Sequence, residues 1–123
     1  MTISNAITII DSVKPNQYTD SEKIRWLNDL DGKIKAEVID THESNTEVEF
    51  NGYDSTTPDD TKLLVDAPYD DIYVHWLESR IDYTNGEFAK YNNSISMFNS
   101  AIQSFISFYN RTHMPKGVKV KYF

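Results

Sequence analysis

The chain contains no cysteine, which removes disulfides, thiolate nucleophiles and cysteine-ligated zinc or iron–sulfur centres as sources of its stability or chemistry. It has only four glycines, and none of them builds a phosphate-cradling Gly-rich loop or the Gly-x-Ser-x-Gly elbow of a hydrolase. No run of about 18 apolar residues occurs, so no segment is expected to span a membrane. The opening Met1-Thr2-Ile3-Ser4-Asn5 lacks the positive start and small-residue cleavage site of a secretory leader, and the expected location is the cytoplasm in which the chain is made. What is present is a 123-residue chain with 39% hydrophobic and 13% aromatic residues, a size that suits one domain with a real core.

Bases are scarce in a patterned way. The net charge of −7 argues against general nucleic-acid binding, which is dominated by Lys and Arg. Between Glu37 and Asp71 lie eleven acidic residues against one base, Lys62, whereas no Asp or Glu follows Glu87. The end of the chain carries Lys90, Arg111, Lys116, Lys119 and Lys121. Such a polarity either reflects solvated faces of different charge or permits head-to-tail contact between copies.

Periodicity predicts a mainly α fold, a single helical domain over 1–123 with four helices at about 2–13, 20–40, 69–84 and 87–112. Ile3, Ala6, Ile7, Ile10 and Val13 recur at helical spacing after Thr2, an N-cap residue. Thr19-Asp20-Ser21-Glu22 reads as a capping box opening a second helix, with Ile24, Leu27, Leu30, Ile34 and Val38 as its apolar stripe. Pro68 precedes a third helix, with Asp70 and Asp71 expected in its first turn, where the helix dipole favours negative charge. Its apolar residues cover a wide arc, which predicts burial on two sides, and Asn85-Gly86 is expected to reverse the chain into the fourth helix. There Phe88, Tyr91, Ile95, Phe98, Ile102, Phe105 and Tyr109 alternate steps of three and four, a heptad seam expected to form the core contact. Its other faces, with Asn92, Asn99 and Gln103, are polar and uncharged. The segment 41–67 is expected to project, carrying a small β hairpin or structured loop at 46–66 around Asn51-Gly52, the pair best suited to a two-residue hairpin turn. A basic tail, 116–123, alternates like an edge strand.

No residues read as a catalytic centre, and neither a cofactor nor a metal is expected. His42, His75 and His113 lack metal-ligand spacing, and His75 beside Trp76 reads as a satisfied core histidine rather than a general base. Asp59-Asp60 and Asp70-Asp71 have turn or cap explanations that compete with a carboxylate-pair site. Two glycosylation sequons, Asn92-Asn93-Ser94 and Asn110-Arg111-Thr112, fall inside a predicted helix and read as chance matches. The basic stretch from Arg111 to Lys121, with Tyr122 and Phe123, reads either as a solubilising tail or as a segment that docks onto an acidic neighbour, which it suits better than DNA contact. Candidate subunit or partner contacts are therefore Asn92, Asn99, Gln103, Arg111, Lys116, Lys119, Lys121 and Phe123.

The stretches Ser21-Glu22-Lys23-Ile24-Arg25-Trp26-Leu27, Ala67-Pro68-Tyr69-Asp70-Asp71-Ile72-Tyr73 and Asp82-Tyr83-Thr84-Asn85-Gly86-Glu87, then Lys90-Tyr91-Asn92-Asn93-Ser94 and Tyr109-Asn110-Arg111-Thr112-His113-Met114-Pro115, carry a resemblance. The chain resembles the head-tail connector, or head-completion, family of tailed phages and prophages of Gram-positive bacteria, over residues 8 to 116 and most strongly from Ala67 to Pro115. The resemblance implies a small helical adaptor of the virion neck, assembled in the host cytoplasm as a homo-oligomeric ring of twelve copies between the portal protein and tail-completion proteins. DNA would pass its channel without sequence-specific binding, and no membrane is involved. No active-site residue is carried by it. The competing expectation is a dimeric helical protein-binding module of prophage origin that regulates a phage or host protein.

Overall fold

The computed structural model describes residues 1–43 and 48–116. It is mainly helical, with α1 at Ile3–Val13, α2 at Asp20–Ile34, α3 at Ile72–Thr84 and α4 at Phe88–Thr112. The predicted second helix does not run uniformly to residue 40. Past Ile34 it widens into a π-helical turn at Lys35–Ile39.

Local chemistry sets the helix starts. Thr2 and Asn5 form a reciprocal capping box at α1, the threonine hydroxyl accepting from the Asn5 amide and the Asn5 side chain accepting from the Thr2 amide. At α2 the Thr19 hydroxyl accepts from the Glu22 amide at 3.3 Å, so the threonine half of the expected box is in place. The acidic pair before α3 departs from expectation. Asp71 occupies the N-cap position without a side-chain cap bond, and Asp70 instead lies 3.5 Å from the N-terminal ammonium of Met1.

Helix α3 is the central element. Ile72, Tyr73, Leu77 and Ile81 are fully buried, because α1, α2 and α4 all pack against it. This is the wide apolar arc read from the sequence, and each such side chain contributes about 1.5–3 kcal/mol when removed from water. Contacts give the directions. Met1 meets Asp70 and Lys14 meets Asp82, so α1 runs parallel to α3. Trp26 meets Trp76 and Asp31 meets Tyr73, so α2 runs antiparallel to it. Gly86, at φ +75°, reverses the chain after α3 as a left-handed residue. Helix α4 then returns alongside α3, with Ser94 against Asp82, Phe98 against Trp76 and Phe105 against Tyr69.

The seam of α4 is corrected at two places. Phe98, Phe105 and Tyr109 are buried, and Tyr91, Ile95 and Ile102 are partly buried, but Phe88 is 61% exposed. The first turn of α4 lies at the hairpin bend, where α3 has ended, and the Tyr83 ring lies 6.2 Å from that of Phe88. One turn further on, Ser94 is the buried residue, since the carboxylate of Asp82 opposite needs a small donor and takes its hydroxyl at 2.9 Å.

The described part of the 41–67 segment does not project as a hairpin. Tyr53, Leu63 and Val65 are buried in the common core, and the stretch from 48 to 66 forms no two-stranded ladder among the described residues. Gly52 alone takes a positive φ, +87°, whereas a two-residue type I′ turn needs it at both central positions. The loop is held by the start of α1, where the Ile3 and Ser4 amides donate to the Thr61 and Asp59 carbonyls. The segment that follows α4 is anchored as well. Residues 114–116 lie antiparallel to 41–43, with Glu43 donating to Met114 and Lys116 to Thr41. The expected strand at 118–123 lies outside the described residues.

Candidate functional site

Asp31 is fully buried on the core side of α2, where it accepts from the Tyr53 hydroxyl at 2.6 Å, the Tyr73 hydroxyl at 2.7 Å and the Leu64 amide at 3.1 Å. Burial pushes its carboxyl above the usual range, against the three hydrogen bonds that favour the ionised form. Burial, and then the neighbouring carboxylate, push both tyrosine hydroxyls up as well. The Tyr73 oxygen also accepts from the Val65 amide at 2.8 Å. The cluster is closed by its own partners and clamps the 53–65 loop to α2 and α3.

A second buried carboxylate, Asp82, joins three helices by pairing with Lys14 beyond α1 and with Ser94 on α4. His42 is buried too. Its Nδ1 donates to the Val38 carbonyl at 2.6 Å, and its Nε2 lies 2.6 Å from the Asn110 side-chain oxygen. His75 Nε2 is 3.8 Å from the exposed Asp71 carboxylate, beyond hydrogen-bonding reach. Among the described residues no group of three His, Asp or Glu side chains is arranged to hold a metal ion, and no helix is long and apolar enough to cross a membrane.

The surface of α4 is different in character. From Tyr91 to Asn110 it carries no charged residue, although a quarter of the whole chain is charged. Asn92, Ser96, Asn99 and Gln103, spaced to share one face, are all exposed, and Met97 beside them is 56% exposed. At about 1.5 Å per residue this uncharged strip runs for roughly 30 Å. Arg111 and Lys116 are exposed near its end, while Lys119, Lys121 and Phe123 lie outside the described residues.

Beside α4 runs a furrow that patterning had not singled out. Its apolar part, about 250 Å³, lies between the end of α2 and the middle of α4, with Leu30, Ile34, Val38, Phe98, Ile102 and Ile106 on its walls. Lys33 and Trp76 connect it to a cleft of about 510 Å³ between α2 and α3. Arg25, Asp29 and Lys33 line one bank of this cleft, and Trp76, Arg80 and Tyr83 the other. The Arg80 guanidinium sits 4.4 Å from the Trp76 ring and 5.4 Å from that of Tyr83, a cation–π arrangement.

No family model, curated protein or solved structure matches the chain. The exposed contact residues expected on α4, Asn92, Asn99 and Gln103, fall together on one face, and Arg111 and Lys116 lie near its C-terminal end. The cleft residues carried a readable signal of their own: 25, 29 and 33 on α2, and 76, 80 and 83 on α3, each repeat at one helical turn. Each helix's polar face is ordinary in isolation, and only their packing brings the two together.

Proposed function

We propose that the protein is a non-enzymatic structural component of a phage or prophage virion neck, a head-tail connector that forms a ring between the portal and the tail. The observation that carries this reading is the uncharged, exposed strip of α4. Solvated helix faces of a monomer are ordinarily rich in Lys and Glu, whereas the centres of protein interfaces are depleted of charge. A strip of Asn, Ser and Gln with one exposed Met suits a contact that must be both water-compatible before assembly and closely packed after it. The resemblance from Ala67 to Pro115 supplies the kind of assembly, and a ring requires that one face of each copy meet a different face of the next. Buried Asp31, Asp82 and His42 are each held by neighbouring groups of the chain itself, so they serve as ties in the core.

The apolar part of the furrow supports a second reading, a dimeric module that takes a partner helix into its groove. Light scattering of the protein alone and with purified portal separates the two. The connector reading expects a complex in which many copies join one portal assembly. A fixed dimer that never joins the portal would refute it.

A further inference from the structure

The cleft between α2 and α3 collects positive charge in a chain whose net charge is −7. Arg25, Lys33 and Arg80 line it against a single carboxylate, Asp29, and among the described residues none of the three cations has an ion-pair partner. Arg80 is the most telling. Its guanidinium is stacked on Trp76 and its Nε is buried with no hydrogen-bond partner. Among the described residues its one side-chain hydrogen bond is long, 3.5 Å, to the Tyr91 hydroxyl. A buried N–H left unmade is costly, and an aromatic-backed guanidinium presents its remaining donors in a fixed fork that matches a carboxylate.

The complementary charge is on the chain itself. Asp59, Asp60 and Asp66 are exposed in the loop that packs on the start of α1, and they too have no ion-pair partner among the described residues. This loop sits level with the N-terminal ends of α1 and α3. The cleft sits along the later turns of α3, from Trp76 to Thr84. Among the described residues Asp59, Asp60 and Asp66 pair with none of the three cations within one copy, so the acids of one molecule are available to the cleft of another.

We infer that the Arg25–Lys33–Arg80 cleft is a receiving site for the acidic 59–66 loop of a neighbouring copy, a head-to-tail contact. It rests on the homo-oligomer reading and adds the two surfaces that meet. Made once per pair, the contact leaves one loop and one cleft open, so it can repeat from copy to copy and close as a ring. Asp59 and Asp60 supply the carboxylates, Arg80 the fork, and the Trp76 and Tyr83 faces exclude water around it. Salt weakens a contact of this kind.

Sedimentation velocity over a concentration series at low salt tests it, with melting temperature recorded for each variant. Arg80→Glu should weaken self-association by about 30-fold or more, and Lys33→Glu, at an exposed position that leaves the core untouched, should weaken it in the same direction. The double variant Asp59→Lys with Asp60→Lys should fail alike. Mixing Arg80→Ala with the double variant Asp59→Ala and Asp60→Ala should then restore one contact only, giving a 1:1 pair that grows no further, since one partner keeps its loop and the other its cleft. Reversal variants that associate like the wild type, or a mixture that stays monomeric, would overturn the cleft. If rings still form on the portal with Arg80→Glu, the connector stands and the cleft is refuted. If the wild type stops at a dimer that Arg80→Glu abolishes, the cleft stands and the ring is refuted.

Discussion

Replacing Asp31 tests how this fold fastens the irregular 48–66 segment. Three donors converge on the carboxylate, the buried hydroxyls of Tyr53 and Tyr73 and the half-buried amide of Leu64. Each left unpaired by Asp31→Ala costs about 1–3 kcal/mol. Removing the carboxylate also removes a desolvation penalty of several kcal/mol, which opposes that loss. The net expectation is a destabilisation of about 2–4 kcal/mol, a large share of a typical domain total of about 5–15. Asp31→Asn keeps the volume and one acceptor and should lose less, about 1–2 kcal/mol. The asparagine variant also isolates the charge. Because burial raises the Asp31 carboxyl in the native state, the folded protein holds that proton more tightly than the unfolded chain. Wild-type stability, measured relative to Asp31→Asn, should therefore be greatest at the acid end. It should decline as pH rises from the unfolded carboxyl value, near 3.9, through the native one, and then level off. Urea denaturation followed by the fluorescence of Trp26 and Trp76 at a series of pH values gives both quantities. An alanine variant as stable as wild type, or a wild-type advantage that grows with rising pH, would refute the reasoning.

Phe98→Asp should unfold the domain, since Phe98 is 8% exposed and packs 5.1 Å from Trp76, and an unpaired charge there costs several kcal/mol; a cooperative native-like melt would contradict the packing. Phe88→Ala, by contrast, should change stability by no more than about 0.5 kcal/mol in the same denaturation assay, and a loss of several kcal/mol would return Phe88 to the core seam. Removing 117–123 should leave the fold intact, because the pairing of 114–116 with 41–43 is retained, while weakening assembly on the portal; a collapsed circular-dichroism spectrum would place the tail in the core.

The helices were legible because their cores obey one local rule. Ile3, Ala6 and Ile10, or Ile24, Leu27 and Ile34, recur at helical spacing whatever lies elsewhere in the chain. The wide arc of α3 was legible for the same reason, and its central place followed. The loop was harder. Asn51-Gly52 carries a strong hairpin preference, yet the burial of Tyr53, Leu63 and Val65 and the bond from the Tyr53 amide to Asn28 outweigh it, and these depend on residues far apart in sequence. Asp31 shows where a clue existed unread. It lies four residues after Leu27 and three before Ile34, on the apolar stripe, so its burial was implied by position while its tyrosine partners, 22 and 42 residues away, were not. Phe88 fails for a geometric reason: a heptad pattern does not say where the opposing helix ends. The polar strip of α4 was visible as composition, but the Arg80 cleft needed two helices from different parts of the chain to be set side by side.

The central claim is that copies of this chain meet along the uncharged face of α4 to form a ring. A photo-crosslinking amino acid placed at Asn99, with the exposed Thr8 on α1 as the control position, tests it in the presence of purified portal. The account predicts a ladder of many covalent rungs between copies from Asn99 and none from Thr8. A single dimer rung, or no link between copies from Asn99, would contradict it.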